Sequence, residues 1–530
     1  MRFLGASSPV LALLAFALLL RALGLRLGLP FIHHWDEIWI KDSAATMLRL
    51  HYDYPNSYHY GAPLMRMVVA GFHVAQLFAG RFLSFEEDIL LYFIARIAVV
   101  LVAASGVVGM YLAGFHATKE ARWPRQRLLQ GLGAALLYAT AKELVTHGRY
   151  GVTDACLVAC AAWALGFSAW YIRSGKIRHL VAAALAAGVG VAFKVPGLPL
   201  VLIPLGSALV RRPEGRGRAV QLGLALAVPL MATAVFFWLN PHFIDRWPQA
   251  KGDVLSRIQQ TRTGGFPKFL LRKPGLPHLA SALWALATLV LHEWRTFALG
   301  LTACSLFGLG SATLKRERFV LVAVGYAVFA IANMALPNKT FLVRNYLIAV
   351  PVIALGFGLG LAQLARLARR TWIGRAALAA PLVFLCASSL DKAWKNQLRS
   401  VDPRLRAMLL VEELNPSRTP TVALTPSVVG GTALGGHREA TRAIHRPFVR
   451  IYPREVKTAE GAVASGADYV LSASFRDLER LSPYEEQWYF RSVPGYRMIA
   501  AFGPNPFEHD FDVTASWDGR VSVVLLAKNR

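Results

Sequence analysis

The chain has 530 residues, 55% of them hydrophobic and only 17% charged, with a formal net charge of +27. A soluble protein of this length carries more charge and divides into several domains, so the composition excludes that class. The basic residues cluster in short stretches between apolar runs, which is the distribution of a polytopic membrane protein and not of a nucleic-acid binder.

Taken in chain order, apolar runs recur from residue 9 to residue 390, many near the ~20 residues that cross a bilayer. The first reads as an uncleaved span over 9–29. Its apolar stretch is long for a signal peptide and lacks a small-x-small cleavage site. The loops "HATKEARWPRQR" (116–127), "RSGKIR" (173–178), "RRPEGRGR" (211–218), "KRER" (315–318) and "RLARRTWIGR" (366–375) each carry at least three Lys or Arg, which assigns them to the cytoplasm. Spans that satisfy this orientation run over 9–29, 89–115, 128–146, 151–171, 179–193, 195–210, 219–239, 296–313, 319–336, 345–365 and 374–390, about eleven crossings. Segments 63–82 and 278–292 would invert the loops after them if they crossed. They are read as helices along the outer membrane face. Residues 1–390 then form a transmembrane domain, with outer loops 30–88 and 240–277. The second of these is basic.

From residue 391 to 530 the pattern changes. "TVALT" (421–425), "ADYVLSAS" (467–474), "YRMIAAF" (496–502) and "VSVVLLAK" (521–528) predict strands, and 454–465 and 476–487 predict helices. The expectation is a small α/β extracytoplasmic domain. Cys156, Cys160, Cys304 and Cys386 fall in apolar stretches without CxxC spacing, which argues against a disulfide framework and leaves the compartment unspecified.

With this topology the polar outliers gather on the outer face. Asp36 and Glu37 follow the first span in "FIHHWDEIWIKDS" (31–43), where Trp35 and Trp39 suit an interfacial belt but the carboxylates do not. "HGRYGVTDACL" (147–157) brings Arg149, Tyr150 and Asp154, although Asp154 also suits a helix N-terminus. Lys194 sits in the turn "VAFKVPGLPL", where a lysine can also snorkel to headgroups. "PNKTFLVRNYLIAVP" (337–351) adds Arg344 and Tyr346. Carboxylates and cations from distant segments thus meet at one membrane face, as a reaction on a lipid-linked anion requires. His33 and His34 are candidate divalent-metal ligands with Asp36, though neighbouring histidines of an extended loop point apart, and metal dependence stays open.

The ordered set of an Asp-Glu pair after the first span, "YGAPL" (60–64), "ARIAVVL" (95–101), "GRYGVTDACL" (148–157), "FKVPGLPL" (193–200) and "VRNYLIAVPVIAL" (343–355) resembles the membrane-embedded C-type (GT-C) glycosyltransferases. The similar branch is the family-39-like one, which includes protein O-mannosyltransferases and lipid A aminoarabinose transferases. The resemblance implies transfer of one sugar, with inversion, from a polyprenyl-phosphate donor to a hydroxyl of a lipid, glycan or protein. It implies Asp36 as general base, Glu37 and Asp154 as further catalytic carboxylates, and Lys194, Arg344 and Arg149 at the donor phosphate. Tyr150, Tyr346 and His59 would contact substrate. Where relatives carry a charged residue before a Pro-Pro pair, this chain reads "HYGAPL", so neither a metal ligand there nor aminoarabinose specificity follows. The short basic loops suit a bacterial inner membrane with the site in the periplasm. Competing readings are a transporter or flippase of a lipid-linked anion, which predicts repeated halves and charged mid-membrane helices, and a ligase or polymerase using a polyprenyl-diphosphate oligosaccharide.

Overall fold

The structure, a computed structural model, describes residues 2–25, 35–50, 58, 60–79, 88–119, 124–264, 271–368, 371–398, 403–416, 419–425, 450–451, 458–476, 493–502 and 520–529. Helix α1 (Arg2–Ala22) is followed by α2 (Trp35–Leu50) and α3 (Ala62–Ala79), and then by α4 (Asp88–His116). Next come α5 (Pro124–Thr140), the short α6 (Lys142–His147), α7 (Thr153–Ser174) and α8 (Ile177–Phe193). A 3-10 turn (Val195–Val201) leads into α9 (Leu202–Val210), followed by α10 (Arg218–Leu239), α11 (His242–Asp245) and α12 (Trp247–Thr263). Then follow α13 (Leu276–Thr288), α14 (Arg295–Leu314), α15 (Arg318–Ala335), a second 3-10 turn (Val343–Ala349), α16 (Val350–Ala368) and α17 (Trp372–Leu398).

Eight described helices are long and apolar enough to cross a membrane: α3, α4, α7, α10, α14, α15, the Val343–Ala368 segment and α17. The expectation of about eleven crossings needs α1, α5, α8 and the Val195–Val210 pair to cross as well, all of them shorter or more polar. Helix α3 was expected along the outer face, and it qualifies as a span by length and composition. The Ala62 amide bonds to Asn240 at the end of α10. Halfway along, Gly71 meets Ile94, close to the start of α4. Helix α13, 13 residues long, is too short to span.

The centre of the bundle is built from α4, α5, α7, α16 and α14, packed pairwise in that neighbourhood. Between apolar helices in lipid there is little hydrophobic gain, so close packing through small residues does the holding. A Cβ added at Gly109 of α4 would come within 2.8 Å of the Ala162 backbone of α7, and one at Gly358 of α16 within 2.2 Å of Gln130 O of α5. The four cysteines are free thiols, with Cys156 and Cys160 buried in α7.

Beyond α17, which continues to Leu398 past the expected boundary at 390, lies a small α/β unit. It comprises α18 (Pro403–Leu414), β1 (Thr421–Leu424), β2 (Arg450–Ile451), α19 (Ala459–Ser465), β3 (Tyr469–Arg476), β4 (Tyr496–Phe502) and β5 (Arg520–Lys528). The sheet order is β2-β1-β3-β5-β4, with β1 parallel to both neighbours and β5 antiparallel to β3 and β4. All four expected strands are present. The helix expected over 454–465 is α19, started by the Thr458 side chain accepting from the Gly461 amide and ended by Gly466 at φ 62°. Most of the helix expected over 476–487 lies outside the described residues.

Candidate active site

Asp36 and Glu37 occupy the first turn of α2, where the partial positive charge of a helix N-terminus favours carboxylates. On a helix, successive residues diverge by about 100°, so the two acids face different neighbours. Asp36 Oδ2 accepts from Arg344 Nη1 at 2.6 Å, the pair being 12% and 8% exposed. The Glu37 carboxylate takes both Nε and Nη2 of Arg96 at 2.7 and 2.8 Å, and its Oε1 also accepts from the Gly151 amide at 2.7 Å. Both side chains of that second pair are fully buried. Arg96 also donates to Leu25 O at 2.7 Å. Glu37 therefore ties α2 to α4 and to the loop before α7, while Asp36 faces Arg344.

A second ion pair stands beside the first. Asp154, in the first turn of α7, accepts from Lys194 Nζ at 2.7 Å. Lys194 ends α8, and its backbone forms an antiparallel bridge with Tyr60. Its ammonium lies 5.8 Å from the Tyr60 ring. The Tyr60 phenol hydrogen-bonds Asp36, and burial together with the Asp36 charge pushes its pKa well above the usual tyrosine value. Tyr60 thus stays a neutral donor and links the two pairs, Asp36–Arg344 and Asp154–Lys194. This strand contact depends on Gly61, because a Cβ there would fall 1.6 Å from Ala192 O. Asn240 completes the join, accepting from the Ala62 amide at 2.8 Å and donating to Ala192 O at 3.1 Å.

Asp154, Lys194, Arg344 and Asn345 line a narrow open cleft with Leu157 and Ile348. Its volume of about 10 Å³ is near the room one water needs. Asp154 Oδ2 is buried and makes no hydrogen bond among the described residues.

The remaining expected residues stand behind this cleft. Tyr150 packs on Arg96, its ring 5.6 Å from the guanidinium carbon. Arg149 is buried, and its Nε donates to Val145 O at 3.3 Å. Tyr346 is buried as well, its hydroxyl 2.7 Å from His278 Nε2, and His278 Nδ1 is 2.7 Å from Asn338 O. A carbonyl can only accept, so Nδ1 carries the proton and Nε2 accepts from Tyr346. This fixes the 3-10 turn that carries Arg344. His147 is fully buried near both ion pairs, and burial pushes its pKa down to about 4 against the opposing pull of Asp154. His59, His33 and His34 lie outside the described residues. Among the described residues, no group of three or more His, Cys, Asp or Glu side chains is placed to hold a metal ion. Sequence reasoning missed Tyr60, Asn240 and Arg96 as site builders, although "YGAPL" and "ARIAVVL" were both noticed as motifs.

Residues 125–238 match the family model described as dolichyl-phosphate-mannose-protein mannosyltransferase. This match likens that stretch of the chain to the mannosyltransferase family. The matched stretch begins in α5 and ends in α10, so it contains Asp154 and Lys194 but not Asp36, Glu37 or Arg344. No curated protein matches the chain at a significant level. Among solved structures, the chain is similar to ArnT from Cupriavidus metallidurans bound to undecaprenyl phosphate (15% identity, 97% of each chain covered, TM-score 0.49). It is also similar to the apo oligosaccharyltransferase of Archaeoglobus fulgidus (11% identity, 88% of this chain and 69% of that one, TM-score 0.47). A shorter match is to the S. cerevisiae protein O-mannosyltransferase Pmt1-Pmt2 complex bound to the sugar donor (19% identity, 46% and 34% covered, TM-score 0.34).

Proposed function

We propose that this protein is a glycosyltransferase that moves a single sugar from a polyprenyl-phosphate donor to a hydroxyl of a lipid, glycan or protein acceptor, with Asp36 as general base. The observation that carries the reading is the Asp36–Arg344 pair at 2.6 Å beside Asp154–Lys194 at 2.7 Å, with Arg344, Asp154 and Lys194 lining one cleft. Each carboxylate is held by a cation that is also the right partner for a phosphate. A donor phosphate entering the cleft competes for Arg344 and Lys194, and Asp36 is then released toward the acceptor.

In the reaction the acceptor oxygen attacks the anomeric carbon from the side opposite the phosphate. Its proton passes to the Asp36 carboxylate. The anomeric C–O bond breaks with its electrons on the phosphate oxygen, and Arg344 and Lys194 meet the charge that develops there. Attack from the opposite side inverts the anomeric configuration. Tyr60 donates to Asp36 and orients it, and Asp154 orients Lys194. Glu37 acts through Arg96 as a positioning residue. The family model's description, with its sugar-phosphate lipid, supports a donor of this class. The five basic loops at the end away from the site support an orientation in which the site and residues 391–530 face the periplasm of an inner membrane.

The test is release of free polyprenyl phosphate by purified protein in lipid, given a panel of polyprenyl-phosphate monosaccharides. Intact protein should release it from one donor, and Asp36→Asn should be slower by about 100-fold or more. Equal release by both proteins overturns the assignment of Asp36.

A further inference from the structure

At the other end of the bundle, away from the two ion pairs, the loops of the basic clusters enclose a second cleft of about 60 Å³. Three glutamines line it: Gln126 and Gln130 from α5 and Gln363 from α16. With them stand Lys315, Arg366 and the buried Glu317. Polar side chains on membrane helices are expensive unless they have work to do, and these amides are mostly unused. Gln130 is 3% exposed, and its Oε1 accepts from Thr118, but its Nε2 donates to no described group. Gln126 and Gln363 make no hydrogen bond among the described residues, and Arg366 makes neither a hydrogen bond nor an ion pair among them. Glu317 is committed differently, since both its oxygens accept from the Lys119 amide at 3.2 and 3.3 Å.

The geometry points to a binding site for an anionic glycerophospholipid of the phosphatidylglycerol type. Arg366, exposed and without an ion pair among the described residues, is the cation of the lining that a phosphodiester would meet, with Lys315 beside it. Glutamine amides offer both donors and acceptors, and so suit the head-group hydroxyls. The source is a lipid and not a soluble glycerol phosphate, because the cations are flanked by bare apolar surface. Leu314 is 86% exposed and Leu367 67%, with Leu364 also exposed, which is where acyl chains would lie. Basic clefts between membrane helices at the positively charged face are suited to such head groups. The site is separate from the proposed transferase centre and does not depend on that reading.

The experiment uses the full chain purified in detergent and titrated with phosphatidylglycerol or with phosphatidylcholine of the same acyl chains. Retained lipid is counted by mass spectrometry of the intact complex. One phosphatidylglycerol should be retained in preference, and Lys315→Gln and Arg366→Gln should each weaken retention about fivefold. Gln363→Leu should also weaken it, with helical content unchanged by circular dichroism. Equal retention of the two lipids overturns the proposal, as does unchanged retention in the Lys315→Gln/Arg366→Gln double variant. Competition by glycerol 1-phosphate as effective as that by the lipid overturns the lipid assignment.

Discussion

Arg344 and Asp36 lie 308 residues apart in the chain, yet Arg344 Nη1 donates to Asp36 Oδ2 at 2.6 Å. The guanidinium arrives on a 3-10 turn fixed by Tyr346 and His278, and the carboxylate on the first turn of α2. Each holds the other in place until something competes for one of them.

The pair predicts a kinetic split. With Asp36 proposed as the base, Asp36→Asn should lower kcat about 100-fold or more, and donor KM should not rise, because Arg344 is no longer held by a carboxylate. With Arg344 proposed to meet the leaving phosphate, Arg344→Ala should lower kcat about 100-fold and raise donor KM with it. Arg344→Lys should not rescue fully, because an ammonium does not reproduce the guanidinium's fixed donors. Steady-state kinetics on a defined polyprenyl-phosphate sugar decide this. Identical effects on kcat and KM in the two variants would contradict the division of labour.

The Glu37–Arg96 pair should behave differently, because both side chains are fully buried and hydrogen-bonded. Removing one partner leaves an uncompensated buried charge, which is destabilising by about 3–5 kcal/mol. Arg96→Leu should therefore lower the Tm markedly, and Glu37→Gln/Arg96→Leu should recover part of the loss. Thermal unfolding of the purified variants measures this, and an unaltered Tm for Arg96→Leu counts against a framework role.

Gly61→Ala should be among the most damaging single-methyl changes in the chain. The new Cβ would lie 1.6 Å from Ala192 O, a backbone atom with no side-chain freedom to yield. Separation of the Tyr60–Lys194 bridge should follow, at about 3 kcal/mol, and transferase activity should be lost with it. Gly223→Ala is the control, since nothing lies within 4 Å of its added Cβ. Comparing the unfolding and activity of the two variants checks the claim.

His147 sets a pH dependence. Its folded pKa is about 4 against the ordinary 6.5, because burial disfavours the imidazolium. Between those values the unfolded chain binds a proton that the folded chain does not. Stability therefore rises with pH through this window and is lost as pH falls from 6.5 toward 4, by at most about 3 kcal/mol. His147→Gln should flatten the Tm–pH profile across pH 4–6.5. A slope unchanged by the substitution assigns the effect to other groups.

Much of this protein was legible in one dimension because the bilayer is a simple solvent. Long apolar runs and clustered Lys and Arg follow from the cost of burying polar groups and charge in lipid, and that cost is paid residue by residue. The strands of the C-terminal sheet were legible for a similar reason, since alternation along "VSVVLLAK" and "YVLSAS" is a local pattern. Asp36, Asp154, Lys194 and Arg344 could be gathered on one face, because topology alone puts the ends of spans together.

The partners were not legible. Nothing local distinguishes Asp36 from Glu37, and only the turn of α2 sends one to Arg344 and the other to Arg96. Arg96 looked like a residue of a plain apolar helix, and Tyr346 and Tyr150 looked available to substrate, until packing committed their side chains. The sequence by itself determined a membrane bundle with an α/β appendage and the face on which its charges gather. Which charge pairs with which was decided by the tertiary structure, because ion pairs form at distances of a few ångströms between residues hundreds of positions apart.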